Sequence, residues 1–142
     1  MAMTVHCDIV SAEENIFSGL VETVVCEGEM GELGVKPSHA PLLTRLNPAP
    51  VRLILQNGSE EVFYVSGGFL EVQPHVVTIL ADTALRGGDI DMAAAEKAKA
   101  DAEKVIASKI AEEEFAVVAA DLARASAQLR TLRELKRLRG KK

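Results

Sequence analysis

Turn-forming residues are confined almost entirely to the first part of this 142-residue chain. All 5 prolines lie before residue 75, and Gly140 is the only one of the 10 glycines that follows Gly88. Because glycine and proline interrupt regular elements, residues 1–86 must form short segments joined by turns. The long run that follows contains neither residue and favours helices. Gly87-Gly88 therefore marks the predicted boundary between two domains, 1–86 and 87–142.

The pattern of the first domain predicts short β-strands. Val5, Cys7 and Ile9 alternate with other residues, as they do in a strand with one buried face. Asn57-Gly58, between two apolar runs, is a strong hairpin signal. Turn signals recur roughly every 8–12 residues, which is typical of an antiparallel sandwich or barrel. The predicted strands cover 4–10, 20–28, 32–35, 42–46, 51–56, 61–66, 69–73 and 75–81.

The second domain predicts two helices, over 91–110 and 116–139. Asp89 or Asp91 can cap the first helix. Glu112, Glu113 and Glu114 suit the start of the second helix, where the helix dipole favours acidic side chains. Since few residues separate the helices, we expect an antiparallel hairpin and an α+β fold overall. A narrow apolar stripe on the second helix would consist of Leu122, Ala125, Leu129, Leu132 and Leu135 or Lys136.

Alanines dominate the predicted contact between the helices. Each alanine in place of leucine forgoes about two to three methylenes, at about 0.8 kcal/mol each. A hairpin held in this way should open easily, so we predict a mobile element. The alanines expected in the contact are Ala93, Ala94, Ala98, Ala102, Ala119, Ala120, Ala123 and Ala127.

Charge is distributed unevenly along the chain, whose net charge is −5. Residues 1–89 carry 4 basic and 12 acidic groups, whereas residues 122–142 carry 8 basic groups and Glu134 as the sole acid. This tail is either a solvated helix end or an element that docks on an acidic surface. Its cations spread around the helix, which favours a surrounding acidic groove over a flat membrane. They are Arg130, Arg133, Lys136, Arg137 and Arg139.

No catalytic or metal-binding constellation is present in the sequence. Motifs for a nucleophile elbow, a phosphate loop or a zinc helix are lacking, and His6, His39 and His75 lie far apart. Cys7 and Cys26 predict reduced core thiols, and the sequence leaves open whether they lie close together. Aromatic residues amount to 4%, without tryptophan, which argues against stacking on nucleic acid bases. We expect no catalysis, no metal and no cofactor.

The stretch GELGVKPSHAPLLTRL (31–46) admits three interpretations: a catalytic loop, a phosphate cradle or a docking edge. A phosphate cradle is disfavoured because Glu27, Glu29 and Glu32 would repel the anion. Pro37 and Pro41 fix the backbone and remove hydrogen-bond donors, which suits a rigid sheet edge. His39 is better explained as a turn residue that bonds the backbone than as a catalytic base.

The N-terminus has neither a basic, apolar leader nor an Arg-rich transit pattern. No apolar stretch approaches the roughly 20 residues that a membrane span needs. These features predict a soluble, cytoplasmic chain.

Several motifs together resemble the epsilon subunit of bacterial F-type ATP synthases: GELG, PSHAPLLT (37–44), YVSGGFLEVQP (64–74), TILADTA and SAEENIFSGLVE (11–22). The resemblance covers essentially the whole chain. It implies a ten-stranded β-sandwich and two helices in a non-catalytic rotor subunit that couples proton flow to ATP synthesis. The implied location is peripheral, on the cytoplasmic side of the bacterial plasma membrane.

The same resemblance implies the partners. The sandwich would contact the gamma subunit and the c-subunit ring through the turns around Glu29, Glu32 and His39. The helices would extend into the catalytic head, contact the alpha and beta subunits through the basic tail and inhibit ATP hydrolysis. An acidic region of the beta subunits would then be the acidic partner of the tail.

One motif departs from the family pattern. Some members bind ATP through Ile or Leu, Asp, two residues, Arg and Ala, and the matching residues here begin at Ile90 and Asp91. The arginine position is Ala94, so the guanidinium that would pair with phosphate is missing. Asp91 then serves better as a helix cap, and we expect ATP binding to be weak or absent.

A second hypothesis remains open at the level of sequence. The chain would be a β-sandwich adaptor with a basic helix that binds nucleic acid or anionic lipid. Association with a large membrane ATPase distinguishes the two hypotheses.

Overall fold

The computed structural model describes residues 3–108 and 112–140, without the side chains of residues 112 and 113. Nine strands precede two helices in the described residues. The strands are β1 (Val5–Ser11), β2 (Asn15–Gly28), β3 (Gly31–Val35), β4 (Leu42–Leu46), β5 (Ala49–Leu55), β6 (Glu60–Val65), β7 (Gly68–Val72), β8 (Val76–Ala81) and β9 (Ala84–Arg86). A 3-10 turn (Gly87–Asp89) leads to α1 (Met92–Ala107) and α2 (Glu112–Arg139).

β2 joins the two layers of the sandwich. Its 14 residues pair first with β1 and then with β3 and β5, and the register slips between Val21 and Thr23. Such an irregularity bends a strand and increases its twist. One layer is therefore β4-β7-β8-β1-β2 and the other is β3-β2-β5-β6-β9. The predicted sandwich is confirmed, and counting β2 in both layers reconciles these nine strands with the ten expected.

One pairing departs from the antiparallel pattern that we predicted. β1 and β8 run parallel, with His6 opposite Val76 and Ser11 opposite Ala81. All the other pairings among the described strands are antiparallel. Turn residues predict antiparallel neighbours along the chain, but they carry no information about strands that lie more than 60 residues apart.

The core lies between the two layers and is almost entirely aliphatic. Val5, Cys7 and Ile9 face inward, as their alternation predicted. The aromatic contribution comes mainly from Phe63, whose ring centroid lies 5.7 Å from that of Phe17. The guanidinium carbon of Arg86 lies 5.6 Å from the centroid of the Phe63 ring, and its Nη2 donates to the carbonyl oxygen of Ile16 at 2.8 Å. Arg86 therefore covers this end of the core.

The helix boundaries follow the capping signals. Asp91 is the N-cap of α1, and its carboxylate accepts a hydrogen bond from the backbone nitrogen of Ala94 at 3.1 Å. Asp89 lies in the preceding 3-10 turn and does not cap α1. Lys109 and Ile110, predicted to end the first helix, lie outside the described residues. α2 begins at Glu112, so the acidic run occupies its first turn, as expected.

The packing of the hairpin differs from the predicted alanine contact. α1 packs on α2, and α2 packs on β5 and β6. The buried alanines are Ala95, Ala102, Ala125 and Ala127, so only Ala102 and Ala127 of the eight predicted are buried. Of the predicted stripe, Ala125 is buried, the leucines are half-buried and Leu132 packs on the cluster of Tyr64 and Ile90. Of the two alternatives at its end, Leu135 is half-buried and Lys136 is exposed. Because α2 contacts both a helix and a sheet, no single stripe describes its buried surface.

Candidate docking face and folded tail

Three large apolar side chains lie on the outer surface of the β4-β7-β8 layer. Leu43 is 67% exposed, Phe69 45% and Leu80 49%. Phe69 and Leu80 are direct cross-strand partners, and Arg45 is the partner of Phe69 on the other side. Cross-strand partners have neighbouring side chains, so Phe69 and Leu80 form one patch, which Leu43 extends two residues further along β4. We call Leu43, Phe69 and Leu80 the apolar outer face.

Charged groups border the apolar outer face on one side. The guanidinium of Arg45 lies 5.6 Å from the centroid of the Phe69 ring, and its Nε lies 3.7 Å from Oε1 of Glu29. Met30, at the tip of the β2–β3 turn, is 97% exposed. A shallow depression lined by Glu29, Leu43, Arg45 and Phe69 connects the turn to the face.

The three predicted docking residues lie at two ends of this layer. Glu29 and Glu32 are exposed at the β2–β3 turn. His39 lies in the loop before β4, where the backbone nitrogen of Ser38 donates to the Pro74 carbonyl oxygen. The length of β4, about 15 Å at about 3.3 Å per residue, separates the two places. The Nδ1 atom of His39 lies 2.7 Å from the carbonyl oxygen of Ala40, consistent with a turn histidine.

Sequence reasoning missed the apolar outer face, although a signal was available. Alternate residues of a strand point to the same side. The polar residues Glu71 in β7 and Thr78 in β8 therefore indicate which side of each strand faces outward. Phe69 lies two residues from Glu71 and Leu80 two residues from Thr78, so both lie on the same outward side as these polar residues. A large apolar residue at an outward strand position is the pattern that indicates a docking surface.

The basic tail is folded onto the sandwich in this structure. Thr131 and Ala127 are fully buried in the face of α2 that packs on the sheet, and Ala127 contacts the cluster of Tyr64 and Ile90. Gly87 lies beside Leu135 of α2, and a Cβ on this glycine would come within 3.0 Å of the Val62 carbonyl oxygen and 3.4 Å of Cδ2 of Leu135. Burial raises the pKa of Tyr64, while a hydrogen bond from Gln128 and the charge of Arg124 oppose this shift.

The five predicted tail cations are divided between two environments. Arg130 and Arg137 are half-buried and paired with sandwich carboxylates, Glu27 and Glu60. Arg133, Lys136 and Arg139 are exposed, and we call them the outward cations. At about 100° per residue the five span about half of the helix circumference rather than most of it. The buried half carries small and apolar residues instead.

The residues that match the family's ATP pattern have structural roles here. Ile90 is buried beside Tyr64, and Asp91 caps α1. Ala94 lines a cavity of about 610 Å³ between the hairpin and the sandwich. Asp101, Asp121 and Arg124 are the charged residues lining it, and Arg124 is ion-paired with Asp121. No described group of His, Cys, Asp and Glu is arranged to hold a metal ion.

Cys7 and Cys26 are both buried in the same core. Burial raises the pKa of each thiol to about 12, with smaller contributions from Asp8 and Cys26 for Cys7 and from Glu32 for Cys26. The two thiols therefore belong to one core cluster, Cys7 in β1 and Cys26 in β2.

Comparison with known proteins identifies the sandwich. Residues 4–87 match the sequence model described as the ATP synthase Delta/Epsilon chain, beta-sandwich domain. The chain belongs to the ATP synthase delta/epsilon family. It is therefore a non-catalytic stalk subunit of an ATP synthase, in agreement with the expected lack of catalysis. None of the described helices is long and apolar enough to cross a membrane.

Two solved structures have a similar fold. A chain of the Euglena gracilis mitochondrial ATP synthase, described as OSCP/F1/c-ring, is 21% identical, with 94% of this chain and 79% of that chain covered and a TM-score of 0.71. A chain of the Tetrahymena thermophila mitochondrial ATP synthase, described as central stalk/c-ring, is 12% identical, with 61% and 69% covered and a TM-score of 0.50. Because the first match covers 94% of this chain, it includes residues of the helical hairpin as well as the sandwich.

Proposed function

We propose that this chain is the epsilon-type subunit of the ATP synthase rotor. It docks on the gamma subunit and the c-subunit ring, couples proton flow through the ring to ATP synthesis, and inhibits ATP hydrolysis through α2. Its place is peripheral, on the cytoplasmic side of the bacterial plasma membrane. The family match and the Tetrahymena neighbour, described as a central stalk and c-ring, support this role.

The observation that carries the proposal is the division of the surface into two unlike regions. The apolar outer face lies on β4, β7 and β8, whereas the outward cations lie on α2, which packs on β5 and β6 in the other layer. One chain can then hold a stalk partner through one layer while its tail acts on another subunit.

Docking on the stalk uses the apolar outer face together with its charged border. Burying a large apolar side chain contributes about 1.5–3 kcal/mol, and a charged rim supplies orientation. Glu29 at the β2–β3 turn belongs to this border, Glu32 lies exposed at the start of β3, and His39 lies at the other end of the layer. We assign these residues to contacts with gamma and the c-ring.

Docking is tested with serine substitutions on the apolar outer face. Phe69→Ser/Leu80→Ser should lower the affinity for gamma–c-ring complexes at least about tenfold, because burial of two large side chains is lost. Val117→Ser is the matched control, since Val117 is 63% exposed on α2 and outside the face. Equal binding of both variants in a sedimentation assay would assign the interface elsewhere.

Inhibition requires α2 to exchange its contacts on the sandwich for contacts in the catalytic head. Moving an element from 1:99 to 99:1 takes about 5.5 kcal/mol of differential binding. The outward cations and the two paired arginines supply this energy when they enter an acidic and partly desolvated cavity. The acidic partner is then the beta subunit, with the alpha subunit beside it.

Inhibition is tested by adding the chain back to a catalytic head depleted of this subunit. The intact chain should inhibit ATP hydrolysis, and Arg133→Gln/Lys136→Gln/Arg139→Gln should bind but inhibit less. Lys97→Gln/Lys99→Gln/Lys104→Gln is the matched control, because it removes three cations from α1. If both triple variants inhibit ATP hydrolysis as strongly as the intact chain, the outward cations of α2 are not responsible for inhibition. If the intact chain does not bind at all, the adaptor hypothesis becomes the better explanation.

A further inference from the structure

Two arginines of the tail are anchored on the sandwich by direct hydrogen bonds. Nη1 of Arg130 lies 3.2 Å from Oε1 of Glu27, and its Nη2 donates to the Pro48 carbonyl oxygen at 3.1 Å. Nη2 of Arg137 lies 3.1 Å from Oε2 of Glu60. The two arginines are about two helical turns apart, so they face the same side of α2. Together they fix the last part of the helix at two points.

The receiving carboxylates are themselves held in place. Asn47 donates through Nδ2 to Oε2 of Glu27 at 3.5 Å, and its backbone nitrogen donates to the Glu27 carbonyl oxygen. Nη1 of Arg52 lies 3.9 Å from Oε1 of Glu60. Side-chain exposures of 32% for Glu27 and 20% for Glu60 place both carboxylates partly out of water. A charged pair with one partner already oriented loses less side-chain entropy when it forms.

We propose that Glu27 and Glu60 form a latch that retains the tail by occupying Arg130 and Arg137. The latch competes with the acidic partner in the catalytic head for these two arginines. This competition rests on the proposed inhibitory function, whereas the latch itself does not. In the folded chain Glu27 pairs with Arg130, and Glu60 shares Arg137 with Glu134 of the same helix. None of the outward cations forms an ion pair among the described residues, so they remain available to attract the partner. Inhibition is therefore limited by the release of two identified ion pairs.

The latch predicts opposite effects for substitutions on its two sides. Glu27→Gln/Glu60→Gln leaves every tail cation in place, so it should open the hairpin and strengthen inhibition. Arg130→Gln/Arg137→Gln should also open the hairpin but weaken inhibition, because it removes cations that the head would bind. Each partly exposed pair corresponds to about a two- to fivefold change in the open population.

The first experiment measures opening in the isolated, intact chain. Spin labels at Gln56→Cys and Gly140→Cys are close when Arg137 lies on Glu60, since Gln56 lies in the β5–β6 turn and Gly140 lies just beyond Arg137. The buried native thiols resist labelling. Glu27→Gln/Glu60→Gln should increase the long-distance population about 4- to 25-fold if the pairs act independently. Raising the salt concentration should also increase the long-distance population of the parent chain, because salt screens the ion pairs, and it should do so much less in this variant.

Glu22→Gln/Glu61→Gln is the matched control for this experiment. Both residues are half-buried on the same two strands, and neither takes part in an ion pair among the described residues. An unchanged distance distribution in Glu27→Gln/Glu60→Gln, or an equal change in the control, would overturn the latch.

The second experiment measures inhibition with the same variants in the depleted catalytic head. If Glu27→Gln/Glu60→Gln opens the chain and lowers the concentration needed for half-inhibition, both parts of the proposal hold. If it opens the chain while even the intact protein never inhibits, the latch stands and the proposed inhibitory function fails. If it opens the chain and inhibition of the head is unchanged, competition between latch and head is refuted.

Discussion

Gly68 of β7 is a position at which the backbone of β8 leaves no space for a side chain. It has a φ of 137°, and a Cβ at this position would collide with the Leu80 carbonyl oxygen and lie 3.0 Å from Cα of Ala81. Both the conformation and the space exclude other residues. The glycine pair in YVSGGFL is therefore a structural requirement of the layer that carries the apolar outer face.

Gly68→Ala should lower the free energy of unfolding by about 3 kcal/mol or more, because a clash with backbone atoms cannot be relieved by a rotamer change. Urea denaturation followed by circular dichroism measures this loss. Gly34→Ala is the control, since Gly34 also lies in a strand but a Cβ there meets nothing within 4 Å. Comparable losses in both variants would contradict the assignment.

The two buried thiols make stability depend on pH in the alkaline range. Each pKa rises from 9.0 in the ordinary state to about 12 in the fold, so between these values the unfolded chain loses protons that the folded chain keeps. The stabilisation is complete below pH 9 and is lost as the pH rises, at about 1.4 kcal/mol per pH unit for each thiol. Unfolding free energies of the parent and of Cys7→Ala/Cys26→Ala, measured from about pH 8 to about pH 10.5, should diverge in slope. Parallel slopes would show that the thiols do not contribute.

At the scale of elements, α2 is the helix that must leave the sandwich if the tail is to act elsewhere. The side chains that dock it there include Ala127, Thr131, Leu132 and Leu135, beside the paired Arg130 and Arg137. The hydroxyl of Thr131 donates to the Ala127 carbonyl oxygen within the helix, so it makes no demand on the sheet. Besides the hydrogen bonds of Arg130 and Arg137, this surface consists of small and apolar side chains, so those bonds limit its separation from the sheet.

Ala127→Leu should lift α2 from the sheet, because three added carbons have no space beside Tyr64 and Ile90, at a cost of about 1–3 kcal/mol. Tyr64 is the single tyrosine of a chain without tryptophan, so its fluorescence reports this contact directly. Quenching by acrylamide should increase, and the raised pKa of Tyr64 should fall toward 10.0.

Ala123→Leu is the control for this prediction, since Ala123 is exposed on the same helix. If it changes quenching as much as Ala127→Leu does, the helix docks through a different face.

At the scale of the whole molecule, the cavity between the hairpin and the sandwich decides the expected response to ATP. Its charged lining consists of two carboxylates, Asp101 and Asp121, and one guanidinium, Arg124, which Asp121 already neutralises. The carboxylate of Asp101 remains without compensation in this lining, and its negative charge disfavours binding of a polyphosphate. We therefore expect no measurable heat of ATP binding in calorimetry of the intact chain, whereas Ala94→Arg should introduce binding by supplying a free guanidinium at the matching position. A micromolar Kd for the parent chain would contradict this expectation.

The sequence by itself determined the kinds of element and their order. Glycine and proline placed the strands before Gly87, the alternation of Val5, Cys7 and Ile9 fixed their inward face, and Asp91 marked the start of α1. These features are local, so each depends on backbone sterics or on hydrogen bonds within a few residues. The motifs shared with the family indicated which family the chain belongs to, and the match over residues 4–87 confirms this assignment.

Tertiary structure alone decided the contacts between distant segments. The parallel β1–β8 pair, the cross-strand pairing of Phe69 with Leu80, and the partners of Arg130 and Arg137 all join residues more than about ten positions apart. Charge totals predicted an acidic partner for the tail, but they could not reveal that in the folded chain this partner is Glu27 and Glu60. A net charge records how much charge each segment carries, whereas an ion pair requires two groups to be brought within about 4 Å of each other by the fold.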